Sequence, residues 1–186
     1  MKKSLFNVLE LSGIIFCMAA VSLLRNVYIV LNKSAVGILF GSVNSSVWEQ
    51  MKPIIICYLL YGIFELMASK PYFRRFVCAK AFGMYTAVLI YVLFSGIVPE
   101  EYSAPLTLFS LAGGFFISKM LTLWDKDISF MFPIACFMLL LIFVMYFSFS
   151  AFPPEIDLFR DKESGMYGII PNYVDVGAGV LTQSNG

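Results

Sequence analysis

Histidine is absent from the chain. Its absence removes the commonest side-chain metal ligand and the usual general base at neutral pH. Charge is scarce too: 13% of the 186 residues are charged and the net charge is +1, against about 25% charged in soluble domains. No basic stripe is present to neutralise phosphates, which argues against nucleic-acid binding. The 4 cysteines, Cys17, Cys57, Cys78 and Cys136, are widely separated and form no Cys-x-x-Cys pair, so the motif of a disulfide-exchange enzyme is missing. All of them lie in apolar segments and are expected to be buried structural thiols. No internal repeat, no pair of carboxylates at a motif spacing and no nucleophile motif is present. Neither a cofactor nor a metal is expected.

What the chain has instead is apolar length. Hydrophobic residues make up 60% and the mean hydropathy is +0.83, well beyond soluble composition. Five segments, at about 11–31, 53–69, 76–98, 104–123 and 130–152, approach the roughly 20 apolar residues that cross a bilayer. The second is short and is expected to extend back through Trp48. The predicted fold is all-α: a polytopic membrane bundle of about five transmembrane helices forming one domain to residue 169, with 170–186 small, polar and disordered. Met1-Lys2-Lys3 resembles the start of a signal peptide. The apolar sequence runs on past Cys17-Met18-Ala19-Ala20, so an uncleaved first span is expected.

Lys2, Lys3, Lys70, Arg74, Arg75 and Lys126 fall on the side of the N-terminus, whereas Glu100 and Glu101 lie in a loop without Lys or Arg. The positive-inside rule then makes the N-terminus cytoplasmic and places the C-terminal tail outside, in a multi-pass protein of the cell membrane. The odd number of spans disfavours a two-half inverted-repeat transporter.

Charges inside spans are costly and mark structure or function. Arg25 is placed about six residues, or about 9 Å, from the outer end of span one. It is expected to snorkel, to face a ligand, or to pair with Glu49, Glu155 or Asp157. Tyr28, three positions on, shares its face. At the other end Glu65, Lys80 and Lys119 sit at similar depth, and a structural Glu65–Lys80 pair is expected.

The polar run Phe40-Gly-Ser-Val-Asn-Ser-Ser-Val-Trp-Glu-Gln-Met-Lys52 interrupts the apolar pattern. On one reading it only starts span two. Ser46 and Glu49 form a capping box, Trp48 lies in the interfacial belt with a wet N–H, and Pro53 occupies the first turn. Asn44-Ser45-Ser46 also matches the weak glycosylation pattern. On the other reading Ala35–Phe40 is a re-entrant or interfacial segment beside a cavity, and exposed amides with Lys52 and Arg25 attract an anionic group. The segment 153–169 has turn residues at Pro153-Pro154, Ser164-Gly165 and Gly168, with Leu158, Phe159, Met166 and Tyr167 as apolar anchors. It is expected to cap the outer mouth of the bundle.

These two segments resemble a family of small bacterial membrane proteins of unknown function, common in Gram-positive lineages. Their loop reads approximately Val-Asn-Glu-Ser-Val-Trp-Glu-His-Leu-Lys, matched by Val43, Asn44, Ser46, Val47, Trp48, Glu49 and Lys52. Their tail, approximately Pro-Pro-His-x-x-Leu-Phe-x-Asp-x-x-Thr-Gly-x-Tyr-Gly-Ile, is matched by Pro153, Pro154, Leu158, Phe159, Asp161, Gly165, Tyr167, Gly168 and Ile169. The resemblance implies a five-span fold and no established activity. Histidines of relatives fall at Gln50, Glu155 and Arg25, so a metal or proton site they imply has lost its ligands here. An Arg25–Glu155 or Arg25–Glu49 ion pair is the expected replacement.

Three functions compete. The first is a non-enzymatic binding or transport-related component, sized like the substrate-binding subunit of a larger importer. Its outward pocket would be formed by Arg25, Tyr28, Asn44, Trp48, Glu49 and Lys52, covered by Asp161 and Tyr167. Partners on this reading are the lipid bilayer and a small ligand or another membrane protein, with Gly113-Gly114 the close-packing spot. The second is a structural or assembly factor. The third is an intramembrane enzyme on a lipid or cell-wall precursor, with Glu49 as base and Arg25 or Lys52 holding phosphate.

Overall fold

The computed structural model describes residues 3–169. Lys2 and the tail 170–186 lie outside the described residues. Seven α-helices are present among the described residues: α1 (Lys3–Arg25), α2 (Val27–Val30), α3 (Ala35–Phe40), α4 (Val47–Ser69), α5 (Phe73–Ser95), α6 (Ser103–Leu123) and α7 (Phe132–Ala151). There is no named strand among them, only one antiparallel bridge between Arg160 and Tyr167. The helices α1, α4, α5, α6 and α7 contain stretches long and apolar enough to cross a membrane.

Boundaries follow local chemistry. α1 starts before the expected 11–31 and stops at Arg25, because polarity at the N-terminus lowers hydropathy without breaking a helix. Asn26 ends it by turning its side-chain amide back onto Ser22 O at 3.2 Å. Arg25 is therefore the last residue of α1 rather than about six residues short of the span's outer end. Asn32 and Lys33, at φ 49° and 58°, reverse the chain, and Ser34 caps α3 by accepting from Gly37 N at 3.3 Å. The segment Ala35–Phe40 is thus a short helix folded back on α2. A Cβ on Gly37 would stand 2.9 Å from Tyr28 Cα, so only glycine permits that approach.

α4 begins at Val47, which puts Pro53 in its second turn and not its first. Proline has no N–H for the carbonyl four residues back. That carbonyl, Glu49 O, instead accepts from Ser42 Oγ at 2.9 Å. The loop therefore repairs the defect that proline creates. Lys70, left-handed at φ 45°, closes α4 before Pro71.

α1, α4, α5 and α6 form a four-helix core, while α7 packs on α5 and touches α3. α5 and α6 meet most closely where Gly83 faces Gly114: a Cβ on Gly83 would stand 2.6 Å from Gly114 O. Gly113 meets only the Ile90 side chain. Tyr58, Met84, Leu111 and Phe115 fill the centre, whereas Leu11, Ile63, Leu89, Phe116 and Phe137 point outward. Apolar side chains on the outside with polar ones inside is the arrangement a bilayer requires. Cys17, Cys57 and Cys78 are buried as expected, but Cys136 is exposed on α7, whose surface is little covered by the other helices.

Candidate functional site

The helices alternate in direction, so the C-terminus of α1 and the N-terminus of α4 share one end of the core. That end carries Trp48; the opposite end carries Glu65.

At the Trp48 end the loop and the tail lock together. Asp161 is buried, and its Oδ1 accepts from Ser45 N at 2.8 Å and Ser45 Oγ at 2.6 Å. Its Oδ2 accepts from Ser164 N at 2.7 Å and Ser164 Oγ at 2.6 Å. Burial pushes this carboxyl up, and the hydrogen bonds from Ser164 and Ser45 together outweigh burial, holding it below the usual aspartate range. Asn44 Nδ2 donates to Gly168 O at 2.7 Å while its Oδ1 accepts from Ser46 N at 2.9 Å. This buried amide thus has both its nitrogen and its oxygen engaged inside the folded loop. Trp48 is 2% exposed, boxed by Phe149 and Phe159 at centroid distances of 5.3 and 5.2 Å. Its indole N–H is buried with no partner among the described residues, contrary to the wet belt position expected. Phe159 is the buried anchor of the tail, whereas Met166 and Tyr167 are exposed.

Glu49 and Lys52 satisfy each other one turn apart. Lys52 Nζ lies 2.8 Å from Glu49 Oε2 and 2.9 Å from Ile38 O, and Val43 N donates to the same carboxylate at 3.1 Å. The capping box is therefore half formed. Ser46 Oγ accepts from Glu49 N at 3.4 Å, but the Glu49 carboxylate turns to Lys52 and Val43 instead of the Ser46 amide. Tyr28 is buried against Val43 and Ile38, the residues whose main chains bind this pair.

Arg25 does not join Glu49, Glu155 or Asp157. Its Nη2 donates to Thr107 Oγ1 at 2.8 Å and, at 3.4 Å, to Tyr91 Oη. Tyr91 in turn donates to Gln50 Oε1 at 2.6 Å. No carboxylate pairs with Arg25 among the described residues, and its Nε has no partner. The expected ion pair fails because Glu49 is held by Lys52, while Glu155 and Asp157 are exposed in the tail.

At the opposite end Lys80 Nζ lies 2.6 Å from Glu65 Oε2, as expected, and also 3.0 Å from Glu10 Oε1. Ser118 Oγ donates to Glu10 Oε1 at 3.2 Å. Lys119 is in no ion pair among the described residues. Glu10 escaped sequence reasoning because hydropathy started the span at Leu11. An acid one residue outside a window, on a helix that runs back to Lys3, was the available signal. Gln50, Tyr91, Thr107 and Ser118 had no comparable signal, since helical hydroxyls and amides look alike whether they face lipid or core.

The eight residues predicted as one pocket share this end of the core but take different partners: Asn44 and Asp161 join loop to tail, Glu49 and Lys52 pair, Arg25 is held by Thr107 and Tyr91, Trp48 is enclosed by Phe149 and Phe159, Tyr28 packs on Val43, and Tyr167 is exposed. No group of three or more His, Cys, Asp or Glu side chains able to hold a metal occurs among the described residues.

Helices that could span a membrane, with polar clusters enclosed between them, define a multi-pass, all-helical membrane protein. The model of the Family of unknown function (DUF6512) matches residues 4–169, and the chain belongs to that family. No curated protein and no solved structure matches it.

Proposed function

We propose that this protein is a non-enzymatic binding or transport-related component of the cell membrane, with its Trp48 end outward, and that its ligand presents a small anionic group to Arg25. The observation that supports this reading is the guanidinium itself. It is half-buried and held by the neutral Thr107 and Tyr91, with no carboxylate opposite it among the described residues. The C-terminal end of α1 answers part of its charge; a phosphate or carboxylate would answer the rest. Lys52 is not the anion receptor, because Glu49 already neutralises it.

The test is thermal unfolding of the purified protein in neutral detergent, titrated with inorganic phosphate or acetate against chloride at matched ionic strength. A ligand at 100 times its Kd adds about 2.7 kcal/mol to the folded state. The expected result is a concentration-dependent rise in Tm with phosphate or acetate that Arg25→Gln abolishes. Equal shifts in the variant and the parent, or no shift with any anion, overturn the reading.

A further inference from the structure

We infer that Glu10 and Glu65 together form a proton-binding site, holding one proton between them at neutral pH. The site is independent of Arg25 and lies at the opposite end of the core.

Glu10 comes from α1, Glu65 from α4, Lys80 from α5 and Ser118 from α6; they are 3%, 0%, 6% and 0% exposed. Two acids thus face one ammonium. Lys80 spends one contact on Glu10 Oε1 and one on Glu65 Oε2. The remaining oxygens, Glu10 Oε2 and Glu65 Oε1, are buried without a hydrogen-bond partner among the described residues, while both acids converge on the one ammonium, at 3.0 and 2.6 Å. Two ionised carboxylates cannot donate to each other. A single proton on the pair supplies the missing donor and cancels the one negative charge that Lys80 leaves over.

Among the described residues no second cation pairs with either acid. The rings of Phe115, Tyr58 and Phe76 pack around Lys80 Nζ at 4.8, 5.5 and 5.5 Å. The other titratable groups facing the pair are Tyr58 and Tyr61 on α4 and Cys17 on α1, all neutral in their ordinary form. A cavity of about 120 Å³ reaches Lys80 between α4, α5 and α7, but apart from Lys80 its walls are almost wholly apolar, including Leu59, Ile63, Val77 and Leu139. With so few polar partners in its walls, this cavity is a poor site for a bridging water. A metal cation would have too few oxygens here and would sit against the ammonium. Paired carboxyls that share one site take up protons as a unit, so the proton belongs to the pair and not to either acid.

The experiment is infrared spectroscopy of the full chain in detergent, reading the C=O stretch of a protonated carboxyl by its shift on deuteration. The expected result at neutral pH is one protonated carboxyl per chain. It should disappear in Glu10→Gln and in Glu65→Gln, since either leaves a single acid matched by Lys80, and persist in the exposed control Glu101→Gln. Both glutamine variants copy the protonated state. Their Tm at neutral pH is expected to equal or exceed the parent's, and the parent alone should lose stability as alkaline pH strips the proton. Absence of the band from the parent overturns the inference, as does its survival at full intensity in both folded glutamine variants. Should either variant fail to fold, the parent decides: a band of one carboxyl that vanishes at alkaline pH supports the site, and no band refutes it.

Discussion

Replacing Asp161 with alanine is expected to undock the tail from the loop between α3 and α4 while leaving the helices in place. Two of its four hydrogen bonds, those from Ser164, stay inside the tail; the two from Ser45, at 2.8 and 2.6 Å, cross to the loop. A hydrogen bond to a charged group contributes about 1.5–3 kcal/mol. Taking the lower figure for each crossing bond gives about 3 kcal/mol. That is roughly a 150-fold rise in the undocked population, at 1.4 kcal/mol per decade. Arg160 and Lys162 flank the substitution and are exposed, so trypsin reports undocking directly. With cleavage slower than reclosing, its rate follows that population. Cleavage after Arg160 or Lys162, read by mass, should accelerate by about 100-fold, less whatever Phe159 and the Asn44–Gly168 bond retain. Acceleration below about threefold would refute the clasp.

The same carboxylate sets a pH limit. Its pKa is lower folded than unfolded, so its contribution is fully present above about pH 4, the unfolded value. It is lost as pH falls through the lower folded value. Hydrogen exchange of tail amides on acidification should show that loss in the parent and not in Asp161→Ala.

Lys52→Met should cost about 3–5 kcal/mol, because it strands the Glu49 charge in a buried site; the double variant Glu49→Gln, Lys52→Met should recover most of the Tm. A double variant as unstable as the single one would show that the pair is not the unit. Gly83→Ala should lower stability by about 1–3 kcal/mol by pushing α5 off α6 at Gly114, whereas Gly96→Ala, which meets nothing within 4 Å, serves as the neutral control. Equal Tm values for the two alanine variants would refute the close contact.

Spans and helical class were legible because bilayer thickness imposes a length and an apolar composition that any sequence displays. The loop and tail were legible as a unit through Asn44, Trp48, Glu49 and Asp161, since clustered polar residues between spans need partners. Which partner each takes was not legible. Glu49 could serve Ser46, Arg25 or Lys52 by spacing alone, and Pro53 decides part of it: the vacant Glu49 carbonyl draws in Ser42 and folds the loop over the start of α4. Arg25 was misplaced for a similar reason. Hydropathy carries the first span on to Leu31, and only the Asn26 side chain, bonding back to Ser22 O, shows that the helix has stopped.

The two polar clusters draw on the same helices. α1 supplies Glu10 and Arg25, α4 Glu65 and Gln50, α5 Lys80 and Tyr91, and α6 Ser118 and Thr107. The paired positions stand fifteen residues apart on α1 and α4 and eleven apart on α5 and α6, or about 22 Å and about 16 Å along each helix. Eleven residues are just over three full turns and fifteen a little over four, so each pair keeps to one stripe facing the core. Between the clusters that stripe is mostly apolar or aromatic, with Cys17, Val21, Ile54, Met84, Leu111 and Phe115 buried; the buried hydroxyls there, those of Ser110 and Tyr58, donate to the main chain at Leu106 O and Gly114 O. Fully charged, the Arg25 cluster carries one positive unit and the Glu10–Glu65–Lys80 cluster one negative unit, too far apart and too well sealed to neutralise each other through contact. A proton at one end and an anion at the other would influence each other in this conformation chiefly through the field across this mostly apolar stretch.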